Sequence, residues 1–180
     1  MTNIVYIATS LDGYIAPPDG SLDWLDTVPN PDGDDLGWGE FIANIDAVVM
    51  GRLTFEVVQS FGIGWHYPVP GIILSSTLKE LPDPFQTNNF LTSGDPSAVV
   101  EFAKKQGLEN LYIDGGTTIQ RFLQADLIDE MIITEIPILL GGGDRLFGVL
   151  DEYMRFELVE STTLLKQMVK RHYRRVPSTQ

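Results

Sequence analysis

Short apolar runs recur along this chain, and between them lie segments whose apolar positions are spaced at three and four. The runs cover residues 3–8, 47–50, 71–75, 89–91 and 131–136, together with Leu111-Tyr112-Ile113 ahead of a glycine pair. Such runs, lacking polar alternation, predict strands buried on both faces, as in a mostly parallel sheet. A short helix is predicted over 38–44, and another opens at Arg52, just after the strand that ends on Met50. Asp95-Pro96 supplies a cap and a first-turn proline, Val99, Val100, Phe102 and Ala103 an apolar face, and Gly107 a stop. The segment after Gly116 carries Ile119, Phe122 and Leu123 as a helical apolar set, and residues 156–159 and 164–173 read as a closing hairpin.

Strands alternating with helices predict an α/β fold with a central mixed, mostly parallel sheet, helices on both faces and a C-terminal β-hairpin. Residues 1–180 read as one domain, without repeat, linker or low-complexity tract. One segment breaks the rhythm. Residues 9–37 are rich in Gly, Pro and Asp, and a long irregular stretch inside a compact domain is often a lid or binding loop.

Composition narrows the chemistry. The formal net charge is −13, which argues against nucleic acid as a partner, because phosphate backbones need clustered Lys and Arg. A small anionic ligand needs only local positive charge. There is no Cys, so disulfides, thiolate metal sites and a cysteine nucleophile are excluded. His66 and His172 stand far apart in sequence and suggest no metal site. No apolar stretch approaches the length of a membrane helix, and the cytoplasm is the expected compartment. Neither a Gly-x-Ser-x-Gly elbow nor a Walker-type loop is present, and Gly-x-Gly-x-x-Gly is missing too.

Two strand–turn–helix corners remain. In the first, Met50 ends a strand, Gly51 allows a tight turn, and Arg52 and Thr54 open a helix. A helix start carries unsatisfied N–H groups and a partial positive charge, so a guanidinium and a hydroxyl there suit a phosphate or pyrophosphate. In the second, Asp114-Gly115-Gly116-Thr117-Thr118-Ile119 turns another strand into another helix. Adjacent glycines at a strand end let the backbone approach a flat or charged ligand closely. The two corners could flank one dinucleotide.

The order of Ser10-Leu11-Asp12-Gly13-Tyr14-Ile15-Ala16, Met50-Gly51-Arg52-Leu53-Thr54-Phe55-Glu56, Leu74-Ser75-Ser76-Thr77, Gly115-Gly116, Asp129-Glu130 and Ile136-Pro137-Ile138-Leu139-Leu140-Gly141-Gly142-Gly143 resembles the dihydrofolate reductase-like family. The last motif, ending in Arg145-Leu146-Phe147, is similar to the branch formed by the reductase domain of the riboflavin-biosynthesis deaminase-reductase and its stand-alone relatives. The resemblance implies a three-layer fold around an eight-stranded sheet, an oxidoreductase using NADPH, a small heterocyclic substrate and a homodimer. It implies that Ala8 and Ile15 hold the nicotinamide carboxamide through their backbone. Gly51, Arg52 and Thr54 would meet the cofactor phosphates, and Ser75, Ser76 and Thr77 would line the adenosine 2′-phosphate pocket. Gly115, Gly116, Thr117, Thr118 and Ile119 would wrap the pyrophosphate and nicotinamide, with a Gly-Gly bond that is often cis. Many relatives carry Arg or Lys where Ser76 stands, and Lys79 is the nearest substitute.

Reducing a C=N or C=O bond also needs a proton on the heteroatom, from a carboxyl group or an ordered water. The resemblance places Asp35 in register for that role, with Asp34, Glu40 and Asp12 as neighbouring candidates. Thr134 and Trp38 are expected on the substrate side. Two rivals stay open: true dihydrofolate reduction, which needs a buried acid in the substrate pocket, and a nucleotide-binding or ligand-sensing protein that kept the cleft and lost the chemistry.

Overall fold

A computed structural model describes residues 1–177. Ten strands and four α-helices follow one another along them. They are β1 (Thr2–Ser10), β2 (Tyr14–Ala16), α1 (Trp38–Ile42), β3 (Ala47–Gly51), α2 (Arg52–Ser60), β4 (Gly71–Leu74), β5 (Phe90–Thr92), α3 (Pro96–Lys105), β6 (Asn110–Asp114), α4 (Gly116–Gln124), β7 (Glu130–Ile136), β8 (Asp144–Arg145), β9 (Arg155–Leu164) and β10 (Met168–Val176).

Eight of the strands form one sheet in the order β5-β4-β3-β6-β1-β7-β10-β9. The first six are parallel; β10 runs antiparallel to both β7 and β9. The apolar runs of β3, β4 and β6 are buried because each strand is covered twice. In β3, Val49 packs with Val99, Ala103, Phe122 and Leu123 of α3 and α4, whereas its neighbours Val48 and Met50 pack with Phe41, Phe55 and Val58 of α1 and α2. Successive residues of a strand point to opposite faces, so a two-sided core demands an unbroken apolar run. The result is the three-layer arrangement expected from the chain.

Residues 9–37 are more ordered than their composition implies. A 3₁₀ turn at Asp23–Thr27 presses Trp24 and Val28 into a third apolar cluster with Ile136 and Met168. β2 pairs antiparallel with β8, folding the segment back over the ends of the parallel strands. The hairpin boundary differs from the sequence reading. The turn lies at Leu165 and Lys166, with φ of 48° and 60°, and Gln167 N–H closes it on the Leu164 carbonyl at 3.0 Å. Two left-handed residues make the hairpin-type turn that Asn-Gly normally announces, so Leu-Lys carried no turn signal.

Three arginines of β10 pair with acidic neighbours. Arg171 meets Glu135, Arg174 meets Glu130 and Arg175 meets Asp126, while Lys170 donates to the Leu36 carbonyl. No helix among the described residues is long and apolar enough to cross a membrane.

Candidate active site

The C-terminal ends of β1, β3, β4 and β6 open into one cleft with two halves. Such a position, beyond the carboxyl ends of parallel strands, is where ligands bind in open α/β sheets. One half is a groove of about 560 Å³ lined by Gly51, Arg52, Thr54, Leu74, Gly116, Thr117, Thr118, Arg121 and Arg145. The other, of about 450 Å³, is lined by Tyr6, Ala8, Trp24, Trp38, Tyr67, Tyr112, Asp114 and Gly115. Ile15, Leu53, Thr54, Gly116 and Asp144 belong to both walls, so the halves are continuous.

In the groove the two corners interlock. A Cβ on Gly51 would lie 3.1 Å from Thr118 Oγ1, and one on Gly115 would collide with Thr54 Oγ1. Gly115 has φ of 89°, where a side chain is strained even in open space. Gly116 is equally confined, since a Cβ there would come within 2.7 Å of Ile15 Cδ1. α2 and α4 therefore bring their N-termini side by side, each offering free N–H groups and positive dipole ends. Arg52 is tied to Glu56 at 2.5 Å one turn along α2, Arg121 to the Gly94 carbonyl at 2.8 Å, and Arg145 lies 4.5 Å over the Tyr14 ring. This donor set fits a pyrophosphate, and the glycine pair lets Thr54 and Ile15 pack closely against the start of α4.

Over this groove the β2–β8 flap is fixed by Asp12. Its carboxylate accepts from Ser10 Oγ at 2.6 Å, Gly141 N at 2.7 Å and Leu140 N at 3.1 Å. The Ser10 hydroxyl, followed by those two amides, holds the Asp12 carboxyl down to about 2. A group so acidic keeps no proton to give, so Asp12 is a tether.

At the junction of the halves sits Asp114, the last residue of β6. Its carboxyl accepts from Gly115 N at 2.8 Å, with the Tyr67 and Tyr112 hydroxyls beside it. Burial pushes it up to about 6 despite those neighbours. Burial, followed by the adjacent Asp114, in turn pushes both tyrosine hydroxyls well above their ordinary range. Tyr112 also reaches the Tyr6 carbonyl at 3.0 Å, and Trp38 packs against Tyr6, Phe41, Tyr67 and Tyr112 as a wall of rings. The arrangement is a carboxyl that holds its proton more tightly than an exposed one, at the inner end of an aromatic slot.

Several expected site residues lie elsewhere. Asp35 is exposed and lines neither half; its carboxylate turns back to accept from Gly37 N at 2.8 Å and Gly39 N at 3.0 Å, bracing the start of α1. Those amides lower its pKa, with Lys170 adding to the effect. Thr134 stands on β7 beside Ala8 and Lys170 without lining the cleft. Ile119 is fully buried in the core against α3, supporting the corner from behind. Ser75, Ser76 and Thr77 continue from Leu74 at the groove's rim, where Ser75 Oγ is occupied by Thr77 N and Leu78 N. The Gly115–Gly116 bond is trans; among the described residues the cis peptide is Asp83–Pro84. Gly115 makes the close turn through its positive φ instead. Ala8, Ile15, Gly51, Arg52, Thr54, Gly115, Gly116, Thr117, Thr118 and Trp38 do meet at the cleft.

Sequence reasoning missed Asp114, Tyr6, Tyr67 and Tyr112, and the arginines 121 and 145. A signal existed for Asp114: it is the one charged residue at the inner end of an otherwise apolar strand. Tyr67 gave none, because it reaches the cleft from the loop before β4.

The chain is 35% identical over 173 residues to the protein YwjB of Bacillus subtilis strain 168, covering 94% of this chain and 95% of that one. A solved structure of a Shewanella sp. PV-4 protein, assigned to riboflavin biosynthesis, superposes with a TM-score of 0.95 at 46% identity, over 98% of this chain and 100% of the other. The dihydrofolate reductase of Enterococcus faecalis, solved with NADP(H), shares the fold at a TM-score of 0.64 and 21% identity, over 97% and 96% of the two chains. The model of the RibD C-terminal domain matches residues 2–170, so the chain belongs to the RibD C-terminal domain family.

Proposed function

We propose that this protein is an NADPH-dependent reductase of a small planar heterocycle. The observation that carries the reading is the junction: a cationic groove between two helix N-termini runs directly into an aromatic slot that ends on the Asp114 carboxyl. Family membership and the NADP(H) bound by the Enterococcus faecalis enzyme, which has the same fold, support it.

Arg52, Thr54, Thr117 and the first amides of α2 and α4 hold the cofactor's phosphates. Ile15, Thr54 and Gly116, which belong to both walls, would hold the nicotinamide ring where the groove opens toward Asp114. Bound NADPH supplies a hydride to the substrate carbon. Asp114 gives the matching proton to the substrate heteroatom, and Tyr67 keeps its carboxyl oriented between turnovers. Tyr6, Trp24 and Trp38 set the substrate plane, so that the reacting carbon is presented at near-attack distance, about 3–3.5 Å. Ser76 and Thr77 offer neutral hydroxyls to a 2′-phosphate; at about 1 kcal/mol each they predict a preference for NADPH over NADH on the order of tenfold. β9, the edge strand of the sheet, exposes Leu158 and Val159, which supports association of two copies.

Calorimetric titration of the purified protein with NADPH and NADH tests the reading. Saturable one-to-one NADPH binding is expected, with NADH weaker. Absence of binding by either removes it.

A further inference from the structure

The positive charges of the cleft are sorted between its halves. Arg52, Arg121 and Arg145 line the phosphate groove, whereas among the described residues lining the aromatic half none is Lys, Arg or His. That half ends on Asp114 and shares Asp144 with the groove. Its mouth is apolar. Leu53, Val57 and Phe61 follow one another at intervals of four along one face of α2 and are 65%, 41% and 46% exposed. Leu22, which caps the 3₁₀ turn, and Leu25 within it line the cavity. His66 stacks on Tyr67 at 4.4 Å without lining the cavity, and Lys170 lines a separate pocket behind Tyr6, bonded to the Leu36 carbonyl.

Resting on the reductase reading above, we infer that the substrate is a phosphate-free planar imine or ketone, neutral or singly cationic, and not a phosphoribosylated pyrimidine. A dianionic phosphate entering this half finds no guanidinium or ammonium partner in its lining, loses its hydration against leucine and valine, and meets the carboxyls of Asp114 and Asp144. A flat apolar ring finds the opposite: aromatic faces on both sides and contact along α2. The one polar point at the inner end, Asp114 with its two tyrosine hydroxyls, matches a single heteroatom. The step balances. The C=N or C=O carbon gains hydride from NADPH, which leaves as NADP⁺; the heteroatom gains the Asp114 proton, and solvent reprotonates the carboxylate.

The test compares 3,4-dihydroisoquinoline with 5-amino-6-(ribosylamino)uracil and its 5′-phosphate. Binding to the NADP⁺-loaded protein is read from tryptophan fluorescence, and turnover from loss of NADPH absorbance. We expect the cyclic imine to bind and be reduced, and the nucleoside to bind at least about tenfold more tightly than its 5′-phosphate. If neither pyrimidine binds while the imine is reduced, the same conclusion holds. Val57→Lys should narrow the nucleoside-to-phosphate ratio by about tenfold by placing a cation at the mouth. Binding of the 5′-phosphate equal to or tighter than that of the nucleoside overturns the inference, as does an imine that fails to bind or binds without being reduced. NADPH binding by calorimetry is measured first. If it fails, the reductase reading falls, and the inference with it; if it holds, a failure in the panel belongs to the substrate assignment alone.

Discussion

In the phosphate half of the cleft, half of the lining residues come from two short corners, residues 50–54 and 114–118. In the aromatic half the walls are drawn from β1, the 3₁₀ turn, α1, α2, the loop before β4, and β6. The first half is made largely of backbone: helix N-termini, glycines and extended strand ends. The second is made of side chains that meet only after the chain has folded. A backbone-built site tolerates little change at its glycines, whereas a side-chain-built site can be retuned residue by residue. That contrast can be broken at named positions.

The largest effect is expected in the aromatic half. Asp114→Asn should lower kcat by at least about 100-fold, the usual scale for losing a general acid, with NADPH affinity unchanged. Wild-type kcat should fall as pH rises through about 6, where Asp114 gives up its proton, and the variant should lose that inflection. The same residue links folding to pH. Its folded-state pKa, about 6, lies above the ordinary 3.8, so the folded protein binds this proton more tightly than the unfolded chain does. Stability from this group is therefore full below pH about 4 and declines as pH rises through 6, by up to about 3 kcal/mol. Thermal melts of Asp114→Asn should show a flatter pH dependence across that window.

In the backbone-built half, Gly115→Ala meets both a positive φ and Thr54 Oγ1. NADPH affinity should drop by about 100-fold, with a stability loss on the order of 1–3 kcal/mol, read by calorimetry and thermal melting. Arg52→Ala removes one charge-assisted contact and should weaken NADPH by about tenfold, with a reduced salt dependence. The smallest effect belongs to Asp35→Ala. It removes a brace from α1, costing about 1 kcal/mol, and leaves kcat within about twofold. A kcat loss as large as that of Asp114→Asn would return Asp35 to the chemistry and revive the folate reading.

The same contrast governs what could be read from the chain. Gly51, Arg52, Thr54 and the Gly115-Gly116-Thr117-Thr118 run were legible because local sequence determines a strand end, a tight turn and a helix start. The parallel core was legible too, since strands covered on both faces carry unbroken apolar runs such as 47–50. Asp35 misled because an acid before a helix reads equally as a cap or as a proton donor, and only the position of its carboxylate decides. Tyr6, Tyr67 and Tyr112 were silent, because one sits in an apolar strand, one in a loop and one inside the core. The β2–β8 pairing was hidden for a related reason: strands of three and two residues carry no periodicity.

The central claim is that the two halves form one working cleft, with the nicotinamide lodged at Gly115 beside Asp114. A crystal structure of the protein with NADPH tests it most directly. The account predicts the pyrophosphate between the N-termini of α2 and α4, against Arg52 and Thr117. It also predicts the nicotinamide where the groove meets the aromatic half, its reactive face toward Trp38 and Asp114. A nicotinamide bound outside the aromatic half, or phosphates away from the two helix starts, would contradict it.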